Sequence, residues 1–165
     1  MSATGQLHEV SSVNLHGTTV ALGDVGVLLL GASGSGKSDL ALRFLAEHGR
    51  WPCGGLRRTL VADDRTIVTL TPTGLIASSP QTIAGKLEVR GVGIVEVETR
   101  VSVPLRLVVQ LVSPQAVERL PSDDDTIELL SRQLPLRSIS PFENSAAVKL
   151  ALLLARCADV DRTAL

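Results

Sequence analysis

The run Gly31-Ala32-Ser33-Gly34-Ser35-Gly36-Lys37-Ser38 stands between the apolar stretch Val25-Gly26-Val27-Leu28-Leu29-Leu30 and the segment Asp39-Leu40-Ala41-Leu42-Arg43-Phe44-Leu45. This order reads as strand, glycine-rich loop, helix, and the spacing fits the phosphate-loop pattern G-x4-G-K-[S/T]. Glycines let successive backbone N–H groups turn toward one anion, and the helix that follows adds the positive end of its dipole. A polyphosphate is the expected guest of residues Gly31, Ala32, Ser33, Gly34, Ser35, Gly36, Lys37 and Ser38. Lys37 is expected to reach the outer phosphates, and the Ser38 hydroxyl to take one position on a Mg2+ ion. The competing reading is a glycine-rich turn that matches by accident.

With 165 residues rich in Val, Leu and Ala, the chain has enough apolar surface for one core, so a single domain over residues 1–165 is expected. The apolar runs are far shorter than a membrane span, and the N-terminus lacks the basic-then-apolar order of a secretory signal. A cytoplasmic protein with no membrane partner is the expectation. Cys53 and Cys157 lack metal-ligand spacing and read as free thiols. The formal net charge is −1 and the aromatic set is two Phe, one Trp and no Tyr. Without a basic stripe or a stacking platform, a nucleic-acid partner has no support.

Alternation and turn residues place strands at Glu9–Leu15, Thr19–Leu22, Val25–Leu30, Thr59–Ala62, Thr66–Leu70, Gly74–Ala77, Gly93–Val97 and Leu105–Val112. A helix is predicted from about Lys37 to Glu47, ended by Gly49, and the Arg50–Leu56 stretch reads as a loop. Ser113-Pro114 predicts a short helix that Pro121 stops. Ser140-Pro141-Phe142-Glu143 combines an N-cap serine, a first-turn proline and a capping-box glutamate, which predicts a last helix from there to about Cys157. The mixture of buried and hairpin-like strands implies an α/β domain with a mixed sheet.

Two further segments carry candidate chemistry. Leu60-Val61-Ala62-Asp63-Asp64 is a buried strand ending in two carboxylates, which suits the division of labour in phosphoryl transfer between a metal ligand and a base at the acceptor hydroxyl. Strand alternation would point the two aspartates in different directions; the bland alternative is an ordinary strand-to-turn junction. In Leu87-Glu88-Val89-Arg90-Gly91-Val92-Gly93-Ile94 an arginine enters a glycine-flanked turn, from which its guanidinium could reach a transferring phosphoryl group or simply face solvent. Asp123-Asp124-Asp125 reads as a solvated loop and helix cap rather than a metal cluster.

In this order, the loop Gly31–Ser38, the strand end Val61-Ala62-Asp63-Asp64 and the segment Glu88-Val89-Arg90-Gly91-Val92-Gly93-Ile94 resemble the catalytic, C-terminal domain of HPr kinase/phosphorylase, in a short form lacking the N-terminal domain. His16-Gly17 is similar to the family's His-Gly element; by itself, His16 reads as a turn residue. The resemblance implies a P-loop domain with a phosphoenolpyruvate carboxykinase-like fold, ATP and Mg2+ as cofactors, the phosphocarrier HPr as partner, and a homo-oligomer that is hexameric in relatives. It implies Asp63 as the base at the acceptor serine, Asp64 and Ser38 on the metal side, Asp39 in place of a family glutamate, Arg90 and Glu88 on the acceptor side, and His16 near the phosphates. The family's proline-glycine-arginine-asparagine turn is represented by Pro141-Phe142-Glu143-Asn144, without the arginine.

The expected function is thus an ATP- and Mg-dependent serine kinase acting on HPr, with phosphorolysis as its reverse. The alternative is a nucleotide-sensing interaction module that transfers no phosphate, motivated by the missing arginine. A small-molecule kinase would need a basic lid, for which Arg50, Arg57 and Arg58 are the candidates.

Overall fold

The computed structural model describes residues 11–47 and 51–158. The chain runs through β1 (Ser12–His16), β2 (Thr18–Leu22), β3 (Val25–Leu30), α1 (Lys37–Ala46), β4 (Arg58–Ala62), β5 (Arg65–Thr71), β6 (Gly74–Ser78), β7 (Lys86–Val89), β8 (Gly93–Glu96), β9 (Ser102–Leu111), β10 (Thr126–Leu129), β11 (Arg132–Ile139) and α2 (Ala146–Cys157). One nine-stranded sheet follows the order β1-β5-β6-β9-β3-β2-β4, with β11 joined to β9 and β10 to β11; β7 and β8 form a separate hairpin.

The long strand β9 organises the sheet. Along one side it pairs parallel with β3. Along the other, its first residues pair antiparallel with β6 and its last residues pair parallel with β11. The β1-β5-β6 arm and the helices therefore cover different parts of the central strands. Val20, Leu22, Val27 and Leu29 pack with Leu40, Phe44, Leu150 and Leu154 of the helices. Ala21, Leu28, Val103 and Val108 pack with Val68 and Ala77 on the other side. Burial on both faces explains why β3 reads as an unbroken apolar run. Gly26 is required where β3 crosses β9, because a Cβ there would lie 2.4 Å from Val103 Cγ1.

The parallel strands β3, β9 and β11 end at the same edge, and β4, antiparallel to β2, ends there too. Ligands of open α/β sheets bind outside such carboxyl ends. Here that edge carries the residue 31–36 loop, Asp63-Asp64 and the residue 140–145 turn.

Several expectations need correction. The helix predicted from Ser140 begins at Ala146, because Ser140 is buried and Glu143 turns back: its carboxylate pairs with Lys149, and its carbonyl accepts the Ala146 N–H at 3.0 Å. The helix predicted after Ser113 is a single 3-10 turn, Pro114–Ala116. Asp123–Asp125 lies in the turn before β10 and caps no helix. Strands β7, β10 and β11 were not foreseen. Glu9, Gly49 and Arg50 lie outside the described residues, and among the described residues no helix is long and apolar enough to cross a membrane.

Candidate active site

The glycine-rich loop turns on positive φ at Gly34 and Gly36, 78° and 92°. L-residues avoid that region, so glycine permits the nest to form. Gly36 is also crowded: a Cβ would meet two Phe142 ring carbons at 3.0 and 3.1 Å and Pro141 Cβ at 3.2 Å. Gly36 starts α1, and its carbonyl accepts the Leu40 N–H at 2.9 Å. Lys37 is almost fully buried and its ammonium folds back across the loop, donating to the carbonyls of Gly31 (2.8 Å) and Ala32 (2.9 Å). Burial pulls the Lys37 pKa below the ordinary lysine value, while Asp64 and then Asp63 work against that shift.

Asp63 is 7 % exposed and tied on both oxygens. Its Oδ1 accepts from Ser38 Oγ at 2.8 Å and from Thr18 Oγ1 at 3.0 Å, and its Oδ2 accepts from the Glu88 N–H at 3.2 Å. The bond to Ser38 joins the end of β4 to the first turn of α1. The bond from Glu88 docks the β7–β8 hairpin, which carries Arg90, beside the loop. Nη2 of Arg90 lies 3.8 Å from where a Cβ on Gly34 would stand. Arg90 has no hydrogen bond or ion pair among the described residues.

Asp64 adopts a left-handed conformation, φ 63°, that Asp tolerates better than most residues. The kink ends β4 and interrupts strand alternation, so both carboxylates stay at one pocket. Gly17 N–H donates to the Asp64 carbonyl at 3.1 Å, which brings His16 alongside; His16 Nε2 stands 3.0 Å from Asp64 Oδ1. Asp64 is the exposed member of the pair. The resemblance sets Asp64 with Ser38 on the metal side; in the structure Ser38 bonds Asp63, and Asp64 faces His16 and the pocket mouth.

A cavity of about 360 Å³ gathers His16, Lys37, Ser38, Asp63, Asp64 and Arg90. Ser33, Gly34 and Gly36 line it as well. The remaining loop residues, Gly31, Ala32 and Ser35, hold its shape: Ala32 accepts the Ser35 N–H at 3.0 Å, and a Cβ on Gly31 would lie 2.4 Å from Ser35 Oγ. Asp39, which stands in place of a family glutamate, pairs with Arg43 at 2.8 Å. The proposed basic lid is not formed by Arg57 or Arg58. Arg57 pairs with Glu98, and Arg58 is packed over the Phe44 ring and bonded to Glu47.

Sequence reasoning passed over Thr18, Arg43 and Phe142. Thr18 is a fully buried hydroxyl just after His16-Gly17, and a polar residue at a core position of a strand is the signal that could have found it. Phe142 lines the pocket with Leu42 and Val89.

Strand, nest, helix and a carboxylate bonded to the loop serine together define a phosphate-binding-loop α/β protein. The family described as HPr Serine kinase C-terminal domain matches residues 8–150, and the chain belongs to it. It is 35% identical over 154 residues to the HPr kinase/phosphorylase of Bordetella pertussis, covering 86% of this chain and 46% of that protein. It is 32% identical over 150 residues to the HPr kinase/phosphorylase of Brevibacillus brevis, covering 83% and 45%. The chain thus spans about half the length of these relatives. The structure of the Hpr(Ser) kinase/phosphatase from Coxiella burnetii superposes with a TM-score of 0.66 at 24% identity, over 88% of this chain and 90% of that one, a likeness of fold.

Proposed function

We propose that this domain transfers the terminal phosphoryl group of Mg-ATP to a serine of the phosphocarrier HPr. The observation that carries the reading is the Ser38–Asp63 hydrogen bond beside the buried Lys37 ammonium. A serine on the first turn of the loop helix and a carboxylate on the neighbouring strand are the donor set that suits Mg2+ bound to nucleotide phosphates. Among the described residues no three His, Cys, Asp or Glu side chains converge on one point, so a cation here would complete its shell from phosphate and water. Bound there, Mg2+ would neutralise phosphate charge. The acceptor is taken from the names of the relatives.

The chain's own groups then divide the work. Loop N–H groups and Lys37 hold the β- and γ-phosphates, and Lys37 exchanges its two carbonyl partners for phosphate oxygens. Asp63, with both oxygens already accepting hydrogen bonds, belongs on the metal side with Ser38. Asp64 is exposed at the mouth and accepts the serine proton, while His16, whose Nε2 stands 3.0 Å from its Oδ1, orients the carboxylate. This reverses the assignment expected from the resemblance. Arg90, a cation beside the loop without a partner among the described residues, balances charge on the phosphoryl group in transit. With inorganic phosphate in place of ADP as acceptor, the same groups move the phosphoryl group from phosphoserine to phosphate: the serine P–O bond breaks as the P–O bond of pyrophosphate forms, and Asp64 returns the proton to the serine oxygen.

The test is to incubate the protein with ATP, Mg2+ and HPr and measure the intact mass of HPr. One added phosphoryl group, dependent on Lys37, is expected. Saturable ATP binding with unmodified HPr would overturn the kinase reading and leave a nucleotide sensor.

A further inference from the structure

Phe142 presents an exposed aromatic ring at the pocket. The chain's other phenylalanine, Phe44, is completely buried in the core, whereas the Phe142 ring is 69% exposed and lines the pocket around the phosphate loop. A lone exposed apolar residue is ordinary. This one is held in place from two sides.

The Arg43 guanidinium, projecting from α1, donates to the carbonyl of Pro141 through Nη2 and to that of Glu143 at 3.3 Å through Nη1, while its Nε donates to Asp39 at 3.0 Å. From α2, Lys149 pairs with the Glu143 carboxylate. The turn that bears Phe142 is therefore bolted to both helices, and the ring is set against Gly36 at the start of α1. Leu42 follows Ser38 by four residues, so it lies one turn further along the same face of α1 and lines the same cavity. The pocket joins polar lining, from Lys37, Ser38 and Asp63, to apolar lining from Leu42, Val89 and Phe142.

We infer that Phe142 is the stacking platform for the base of the bound nucleotide and that Arg43 is the positioning residue that fixes it. The inference rests on the nucleotide reading of the loop and adds the part of the ligand that the loop does not contact. Phosphates bound by the nest leave the rest of the nucleotide to lie along α1, where it meets an apolar wall and a presented aromatic ring. Aromatic stacking accepts any base, because every base has a π-face. The site should therefore hold nucleotides well without choosing sharply among bases.

The experiment is calorimetric titration of the full chain with ATP and, separately, with inorganic tripolyphosphate, both with Mg2+. Phe142→Ala should weaken ATP about ten-fold, within the range measured for base–aromatic stacking, and leave tripolyphosphate affinity unchanged. Phe142→Tyr should keep ATP affinity. Arg43→Ala should lose a similar factor for ATP but lose nothing further when combined with Phe142→Ala, an interdependence that simple destabilisation would not produce. Equal losses for ATP and tripolyphosphate, or no loss for either, would overturn the stacking role while leaving the phosphate loop intact. If the unsubstituted protein binds neither ligand, the nucleotide reading fails, and this inference with it.

Discussion

The two walls of the pocket are built by opposite means. The inner wall is fixed by main chain and by buried partners: the nest turns on glycines, Lys37 is tethered to two loop carbonyls, and Asp63 accepts three hydrogen bonds at 7 % exposure. On the outer wall, Asp64 and His16 hold each other at the surface, and Arg90 is unpaired among the described residues. Groups that must hold one charge in one place are preorganised; groups that must meet an incoming acceptor keep an open side. The adjacent aspartates show this most sharply, since the left-handed turn at Asp64 sets an exposed carboxylate beside the thrice-bonded one of Asp63.

If the contrast is correct, disturbing the outer wall removes rate and disturbing the inner wall removes affinity. The largest effect is expected for Asp64→Asn: phosphorylation of HPr should fall about a thousand-fold, as for loss of a general base, with folding unchanged by circular dichroism. Next comes Lys37→Ala, which should weaken ATP about a hundred-fold in a calorimetric titration, the loss of charge-assisted bonds to phosphate. Gly36→Ala places a Cβ at φ 92° and 3.0 Å from Phe142 Cζ; a destabilisation of about 1–2 kcal/mol, read from denaturant unfolding, should accompany weaker ATP binding.

The smallest effect is one of pH. Burial sets the Lys37 pKa below its unfolded value of 10.5, so the unfolded chain binds more protons across the window between the two. Without nucleotide, stability from this group therefore rises as pH climbs through that window. Nucleotide phosphates need the charged ammonium, so ATP affinity should fall as pH rises through the same range, beginning below 10.5. Thermal melts with and without ATP across alkaline pH would show the opposed slopes.

The inner wall was legible because its chemistry is local. Val25–Leu30, the residue 31–36 loop and α1 are consecutive in sequence, and the glycine spacing, buried strand and helical periodicity all agree. The outer wall depends on long-range placement. Strand β11 was missed because Pro135 lies inside it and its hairpin turns on Leu130 and Ser131 at φ 49° and 61° rather than on Asn-Gly. The start of α2 was misread because Ser140-Pro141-Phe142-Glu143 carries every local cap signal, yet Arg43, on a distant helix, ties the Pro141 and Glu143 carbonyls into a turn. Alternation predicts that Asp63 and Asp64 point apart, yet both line one pocket, because alternation assumes extended backbone and Asp64 departs from it.

One paired titration addresses the division between Asp63 and Asp64: Mg-ATP affinity of Asp63→Asn and of Asp64→Asn against the unsubstituted chain. Asp64→Asn should bind at least as tightly, since it removes a negative charge near Lys37 and the phosphates, and Asp63→Asn should lose the Mg-dependent part of the affinity. The opposite pattern, with Asp63→Asn binding normally and Asp64→Asn losing its response to Mg2+, would contradict it.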